Sequence, residues 1–259
     1  MISAHSVNAG FERTAQPALL AGTALANLFG GDADAALLNP SAVASLRSIY
    51  LSSFYSPSPF ELPQLSNGGM LAAFPIESAD GAIGVTTAGF SLYREITASA
   101  IVAKSFNNIF SAGFGVNLNH LAIARYGTAL FVGLDLGATV QVTDDLHWGF
   151  SLLNVNRPRI GGSDDELPLI SLTGFSYALL PGASISFALI KDVRFPVSVR
   201  TGILFSPLEI IQFRFGVASE PSRYSAGLGV RAAPLTFDYS ISTHLELGLT
   251  HTLGLSITL

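Results

Sequence analysis

Five histidines, eighteen carboxylates and no cysteine are what this sequence offers for metal binding or proton transfer. His244 and His251 flank one short stretch and could approach each other around a zinc ion, or stand as solvated loop residues. Asp32 with Asp34, and the run Asp164-Asp165-Glu166, could present oxygen ligands to a hard cation. Neither is embedded in a calcium-loop pattern. There is no Gly-x-Ser-x-Gly elbow, no Walker loop and no cysteine-based zinc spacing. The sequence therefore predicts no metal site, no cofactor and no enzyme, although distant strands could still gather Ser, His and Asp. Thirteen basic residues without a dense cluster predict no nucleic-acid partner. More informative are Asp135, Arg200, Arg214, Arg223, Arg231 and Asp238, single charges set among apolar and small residues.

What must position these charges follows from composition. Charged residues make up 12% of the 259 and apolar ones 49%, whereas a soluble domain carries roughly 25% charge. Mean hydropathy is +0.48. The chain is long enough to bury a core but short of the polar residues that would cover one. The same numbers exclude disorder and imply a lipid environment. A spanning helix needs about 20 mostly apolar residues. The charge-free run 167–190 is broken by Pro181-Gly182, a turn signal that makes it two strands. The run 15–31 holds Gly22, Gly30 and Gly31 and leads straight into Asp32 and Asp34.

Elsewhere apolar residues alternate with small or polar ones. Phe110, Phe114, Val116 and Leu118 interleave with Gly113, Gly115, Asn117 and Asn119. Leu235, Phe237, Tyr239 and Ile241 interleave with Thr236, Asp238, Ser240 and Ser242. Period two means strands. A soluble β-sandwich would also alternate, but its outer face would carry Lys and Glu. Here the second face is Gly, Ser, Thr and Ala, as in a barrel whose apolar face meets lipid. Only a closed barrel lets strands cross lipid without unpaired edges. The expected fold is therefore all-β, a transmembrane antiparallel up-and-down barrel of about 14 strands.

The predicted strands are 47–54, 67–75, 81–93, 95–105, 109–119, 128–143, 146–154, 168–180, 183–191, 196–205, 209–218, 222–232, 235–243 and 250–259. Short turns then fall on one side, and the connectors 55–66, 120–127, 155–167 and 244–249 on the other, the outer side. Tyr50, Tyr93, Tyr126, Trp148 and Tyr177 lie near strand ends, where aromatics sit at headgroup level. Ordinary strand propensity accounts for some of them. An arginine facing lipid at mid-membrane would cost about 2–4 kcal/mol, so the six charges should face the lumen. There they would pin an inner segment to the wall, or form a selectivity patch.

Residues 15–45 do not alternate. Their Ala- and Leu-rich stretches predict a short helix broken at Gly30-Gly31, then a second one ending near Asn39. The sequence at 38–42, Leu-Asn-Pro-Ser-Ala, resembles the Asn-Pro-Ala motif that FadL-type and PorV/PorQ-like outer-membrane proteins carry before their first strand. Here Asn39, Pro40 and Ser41 match it, with Ser for the usual Ala. The resemblance implies a plug inside the barrel, dividing the chain into a plug segment, 1–46, and a barrel, 47–259. The stretch 245–251 leading into the final strand is similar to the closing hairpin of PorV-like proteins, with Leu259 in place of the usual terminal aromatic. In strand three, Ile83 and Val85 share one face while Ala88, Phe90 and Leu92 share the other. A one-residue slip would put a bulge at Thr86-Thr87. FadL-type transporters have an interruption in their third strand that opens the wall sideways, which makes Thr86 and Thr87 a candidate lateral opening.

Two functions follow from the resemblance. The first is a PorV/PorQ-like accessory component of an envelope or secretion complex in the bacterial outer membrane, meeting protein partners through its outer loops. The alternative is a FadL-like passive transporter of hydrophobic small molecules. Residues 1–14 have no apolar core, so the sequence reads as starting near a mature N-terminus. In a rival reading Leu19–Ala26 is the apolar part of a signal peptide.

Overall fold

The computed structural model describes residues 11, 15–44, 46–161 and 165–259. Alternating sequence becomes strand throughout. The strands are β1 (Tyr50–Ser56), β2 (Asn67–Ile76), β3 (Ala79–Phe90), β4 (Tyr93–Phe106), β5 (Phe110–Ile123), β6 (Gly127–Gln141) and β7 (Leu146–Leu153). They continue as β8 (Ile170–Leu180), β9 (Ala183–Asp192), β10 (Ser198–Leu208), β11 (Ile211–Ala218), β12 (Arg223–Ala232), β13 (Leu235–His244) and β14 (Gly248–Thr258). Each pairs antiparallel with its chain neighbours, and β1 pairs with β14 to close a 14-stranded barrel. Closure leaves no edge to be satisfied by lipid. No helix among the described residues is long and apolar enough to cross a membrane.

Burial alternates as expected. In β11, Gln212, Arg214, Gly216 and Ala218 are buried inward while Phe213, Phe215 and Val217 are exposed outward. Large apolar side chains such as Met70, Ile83, Leu118 and Leu253 stand on the outer face, where lipid covers them. This is a closed β-barrel with an apolar outer belt, the form in which strands can cross a membrane. Connectors 57–66 and 154–169 lie at one end, and only two to four residues join strands at the other. In outer-membrane barrels the short-turn end is the periplasmic one.

The predicted connector 120–127 is shorter in the structure, because β5 continues to Ile123 opposite Gly127. Trp148 and Tyr177 stand outward, as expected of an aromatic belt. Tyr50 and Tyr93 turn inward and pack against buried apolar clusters instead. Their apolar rings find protein there, because the lumen is filled.

The filling is the N-terminal segment. Helix α1 (Ala18–Gly22) starts after Pro17 and ends at Thr23. The break falls at Ala24 and Leu25, both with left-handed backbone (φ 52° and 61°), rather than at the expected Gly30-Gly31. Two short 3-10 turns follow, Ala33–Leu37 and Pro40–Val43. Leu20, Leu28 and Phe29 pack on Leu153, Ile170 and Leu172. Leu37 and Val43 pack on Phe54, Leu71 and Ile101. Nearer the outer rim, Phe11 meets Phe131 edge-on at 5.0 Å.

Luminal glycines make the room. A methyl group on Gly113 would lie 2.5 Å from the Pro40 carbonyl oxygen, and one on Gly149 would run into the Phe29 ring. Both are far inside ordinary contact distance.

Candidate functional site

Asn39 organises the middle of the segment. Its side-chain oxygen accepts the Ser41 N–H at 3.2 Å and the Ser41 hydroxyl at 2.7 Å. Its amide donates to the Leu28 carbonyl at 3.2 Å. Pro40 follows it at the first position of the turn, where no N–H is needed. The Ser41 hydroxyl, 2.8 Å from that of Thr139, ties the turn to β6. Asn39, Pro40 and Ser41 therefore form one seated turn against β5 and β6, next to Gly113 and Gly137.

The six charges all sit at inward positions, but not in one cluster. Asp135 accepts from Asn117 at 2.7 Å and from the Asn154 N–H at 2.8 Å. Asn117 in turn accepts from Ser99 at 2.6 Å. Asp135 thus holds the start of connector 154–169 to β4, β5 and β6. Arg214 pairs with Asp238 at 2.6 Å, both nearly fully buried. Its guanidinium also donates to Gln212. Gly229 leaves the space, since a methyl there would lie 2.6 Å from Arg214 Nη2. Arg200 donates to the carbonyl of Ala24 at 3.2 Å and to Ser198 at 3.1 Å. The Arg223 side chain shares an outer cavity with Asp192 and Glu220, and the Arg231 side chain shares an inner one with Asp32.

Two cavities flank α1. The outer one, about 460 Å³, lies beneath the outer loops. Phe60, Phe195, Ile170 and Ile190 supply its apolar wall, Arg200 and Arg223 with Asp192 and Glu220 its charged one, and Ala21 of α1 reaches it. Phe60 is turned to this place by left-handed backbone at Phe60 and Glu61 (φ 56° and 63°). Its N–H donates to Thr250 at 3.1 Å and its ring packs edge-on against His244. The periplasmic cavity, about 340 Å³, is lined by Leu19, Asp32, Tyr50, Arg214, Arg231 and Asp238, among others. Sequence reasoning placed the charges but missed the aromatic and aliphatic residues of the outer cavity. Phe60, Ile190 and Phe195 converge only through loop geometry and barrel closure.

The expected bulge at Thr86-Thr87 is absent. Pairing runs without a shift from Ile76↔Ala79 to Asn67↔Ala88 on one side, and from Asp80↔Ala103 to Phe90↔Tyr93 on the other. Thr86 faces inward and Thr87 outward, in phase with Ile83 and Val85. Ala88 and Phe90 are inward residues, not lipid-facing ones out of step. The wall is closed at this point, though thin, because Gly69 and Gly68 stand opposite Thr86 and Thr87.

The candidate ion sites also resolve. His251 stacks on Tyr239 on the outer face, with its Nδ1 2.7 Å from the tyrosine hydroxyl. His244 faces Phe60, so the two histidines do not converge. Asp34 accepts a hydrogen bond from Ser52 at 2.6 Å, and Asp32 accepts one from the Asp34 N–H. Asp164 lies outside the described residues; Glu166 pairs with Arg159 at 3.5 Å. Among the described residues no group of three His, Cys, Asp or Glu could hold a metal.

No family model matches the sequence, and no curated protein matches it. Solved structures do. One described as the CymD monoaromatic hydrocarbon channel aligns with TM-score 0.75 at 11% identity, over 96% of this chain and 99% of that one. The fold is that of a FadL/TodX-type channel. The Pseudomonas putida toluene transporter TodX aligns with TM-score 0.67 at 10% identity, over 94% of this chain and 98% of its own. A Pseudomonas aeruginosa FadL homologue gives 0.64 at 14% identity, over 94% and 98%. These FadL/TodX-type neighbours give the PorV/PorQ-like branch no support.

Proposed function

We propose that this barrel is a passive outer-membrane channel for hydrophobic small molecules, with residues 1–46 as its plug and 47–259 as its wall. The observation that carries this reading is the outer cavity. It is roomy, part aromatic and aliphatic, placed under the outer loops and floored by the N-terminal segment. The similarity in fold to channels described as carrying monoaromatic hydrocarbons and toluene supports it. A transporter of this kind needs no cofactor and no catalytic group, in keeping with the scattered titratable residues. The test is calorimetric binding of toluene to the detergent-solubilised barrel. Binding is expected in the parent protein and lost in Ile190→Trp, which fills the cavity. Absence of binding in the parent, or unchanged affinity in the variant, sinks the reading.

A second reading retains one supporting observation. Tyr55, Leu62 and Leu65, in and beside connector 57–66, expose apolar surface, a feature of partner-binding surfaces. Recovery of a stoichiometric companion protein from native outer membranes would favour an accessory role. Recovery of the barrel alone would remove it.

A further inference from the structure

A purely hydrocarbon ligand meets only part of the outer cavity. Ile170 and Ile190 reach it from β8 and β9, and Phe60 and Phe195 from the connectors above. The remaining wall is polar. β10 contributes Ser198 and Arg200, while β12, β13 and β14 contribute Arg223, Ser242 and Thr252. Asp192 at the end of β9 and Glu220 between β11 and β12 complete it. Two guanidinium groups and two carboxylates therefore share the cavity, and it presents donors and acceptors together without a net charge. Fixed charges of both signs favour a neutral dipole over an ion of either sign.

These polar groups hold one another in place. Asp192 pairs with Arg194 at 2.9 Å, and Thr250 accepts the Phe60 N–H at 3.1 Å. Arg200 directs two of its five N–H donors to Ser198 and the Ala24 carbonyl. Hydrocarbon laid over such a wall displaces water and returns no hydrogen bond, whereas a hydroxyl on the same ring returns one. There is room for both parts of such a ligand. A cavity of about 150 Å³ already holds a benzene ring, and this one measures about 460 Å³. A ring against β8 and β9 leaves space for a polar substituent turned toward β10–β14.

We propose that the outer cavity selects neutral aromatics carrying a hydroxyl group, that is phenols and aromatic alcohols, over plain hydrocarbons and over aromatic ions. The ring rests on Phe60, Ile170, Ile190 and Phe195, and the hydroxyl is received by the wall that holds Arg223, Ser242 and Thr252. The inference rests on the proposed use of this cavity as the ligand site and adds the class of ligand. A wholly apolar pocket gives the opposite order, because a hydroxyl entering it gives up its hydrogen bonds to water.

Calorimetry on the full chain in detergent at pH 7 compares toluene with 4-methylphenol, 4-methylbenzoate and 4-methylbenzylammonium, which share its ring and methyl group. The 4-methylphenol, neutral at this pH, should bind roughly tenfold or more tightly than toluene, the gain from a hydrogen bond to a charged group, and more tightly than either ion. Ser242→Ala with Thr252→Val and Arg223→Gln should bring its affinity down to that of toluene or below, with toluene binding retained as the sign of an intact cavity. If that variant fails to fold, the order of the four ligands in the parent protein decides. Toluene bound as tightly as 4-methylphenol, either ion bound more tightly, or a preference unchanged in a variant that still binds toluene overturns the proposal and leaves the channel reading intact. Binding of none of the four to the parent protein rejects both.

Discussion

Seating of the Asn39-Pro40-Ser41 turn can be tested by adding methyl groups to the wall behind it. On Gly113 a methyl would lie 2.5 Å from both the Pro40 oxygen and the Ser41 nitrogen; on Gly137 it would lie 2.9 Å from Pro40 N and Cδ. Optimal separations are about 3.5–4.0 Å, so the turn must retreat by roughly 1 Å. These contacts are to backbone and a proline ring, which cannot swing aside. Overpacking of this kind costs about 1–3 kcal/mol per site. The two sites press on one turn, so their costs will not simply add. About 2 kcal/mol for Gly113→Ala with Gly137→Ala corresponds to a shift of roughly 30-fold toward the undocked segment. Hydrogen exchange reads this directly. Amides of 35–44 should lose protection while those of β8–β13 keep theirs, and single-channel conductance should rise. Unchanged protection of 35–44 in the double variant would refute the packing argument.

Other consequences can be checked independently. Asp238→Ala strands the buried Arg214 charge and should cost about 3–5 kcal/mol in urea unfolding; adding Arg214→Leu should recover most of that loss. Asn39→Ala removes the acceptor for Ser41 and should lower stability by about 1–2 kcal/mol, with exchange increasing first at 28–41. Burial, and next the charge of Asp32, push the Asp34 carboxyl up to about 7 from 3.8. A folded-state value above the unfolded one means docking is strongest at low pH and weakens as pH rises from about 4, levelling off above about 7. Protease resistance of residues 15–44 should follow that curve, and Asp34→Asn should flatten it.

The strands were legible because side-chain parity is strict. A one-residue error in register would have moved whole faces, and the alternation of Phe213, Phe215 and Val217 against Gln212, Arg214 and Gly216 admits one phase. The inward direction of the six charges was legible from the cost of charge in lipid. Where reading failed, the cause was the assumption that apolar means lipid-facing. The lumen is filled by protein, so Phe54, Leu71, Phe131 and Leu172 face inward without penalty. Ala88 and Phe90 do the same, and they mimicked a slip at Thr86-Thr87. Tyr50 and Tyr93 misled for the same reason. The outer cavity was not legible at all, because Phe60 reaches it through two left-handed residues and Ile190 and Phe195 reach it from another sector of the wall. The space for Arg214 depends on Gly229 across a strand boundary, a pairing no local pattern records.

The proposed channel function is tested most directly by a crystal structure of the barrel soaked with 4-bromotoluene, read by bromine anomalous scattering. A bromine peak among Phe60, Ile170, Ile190 and Phe195, lost in Ile190→Trp, is the expected result. Bromine found only on the lipid-facing surface, with the outer cavity empty at saturating ligand, would contradict it.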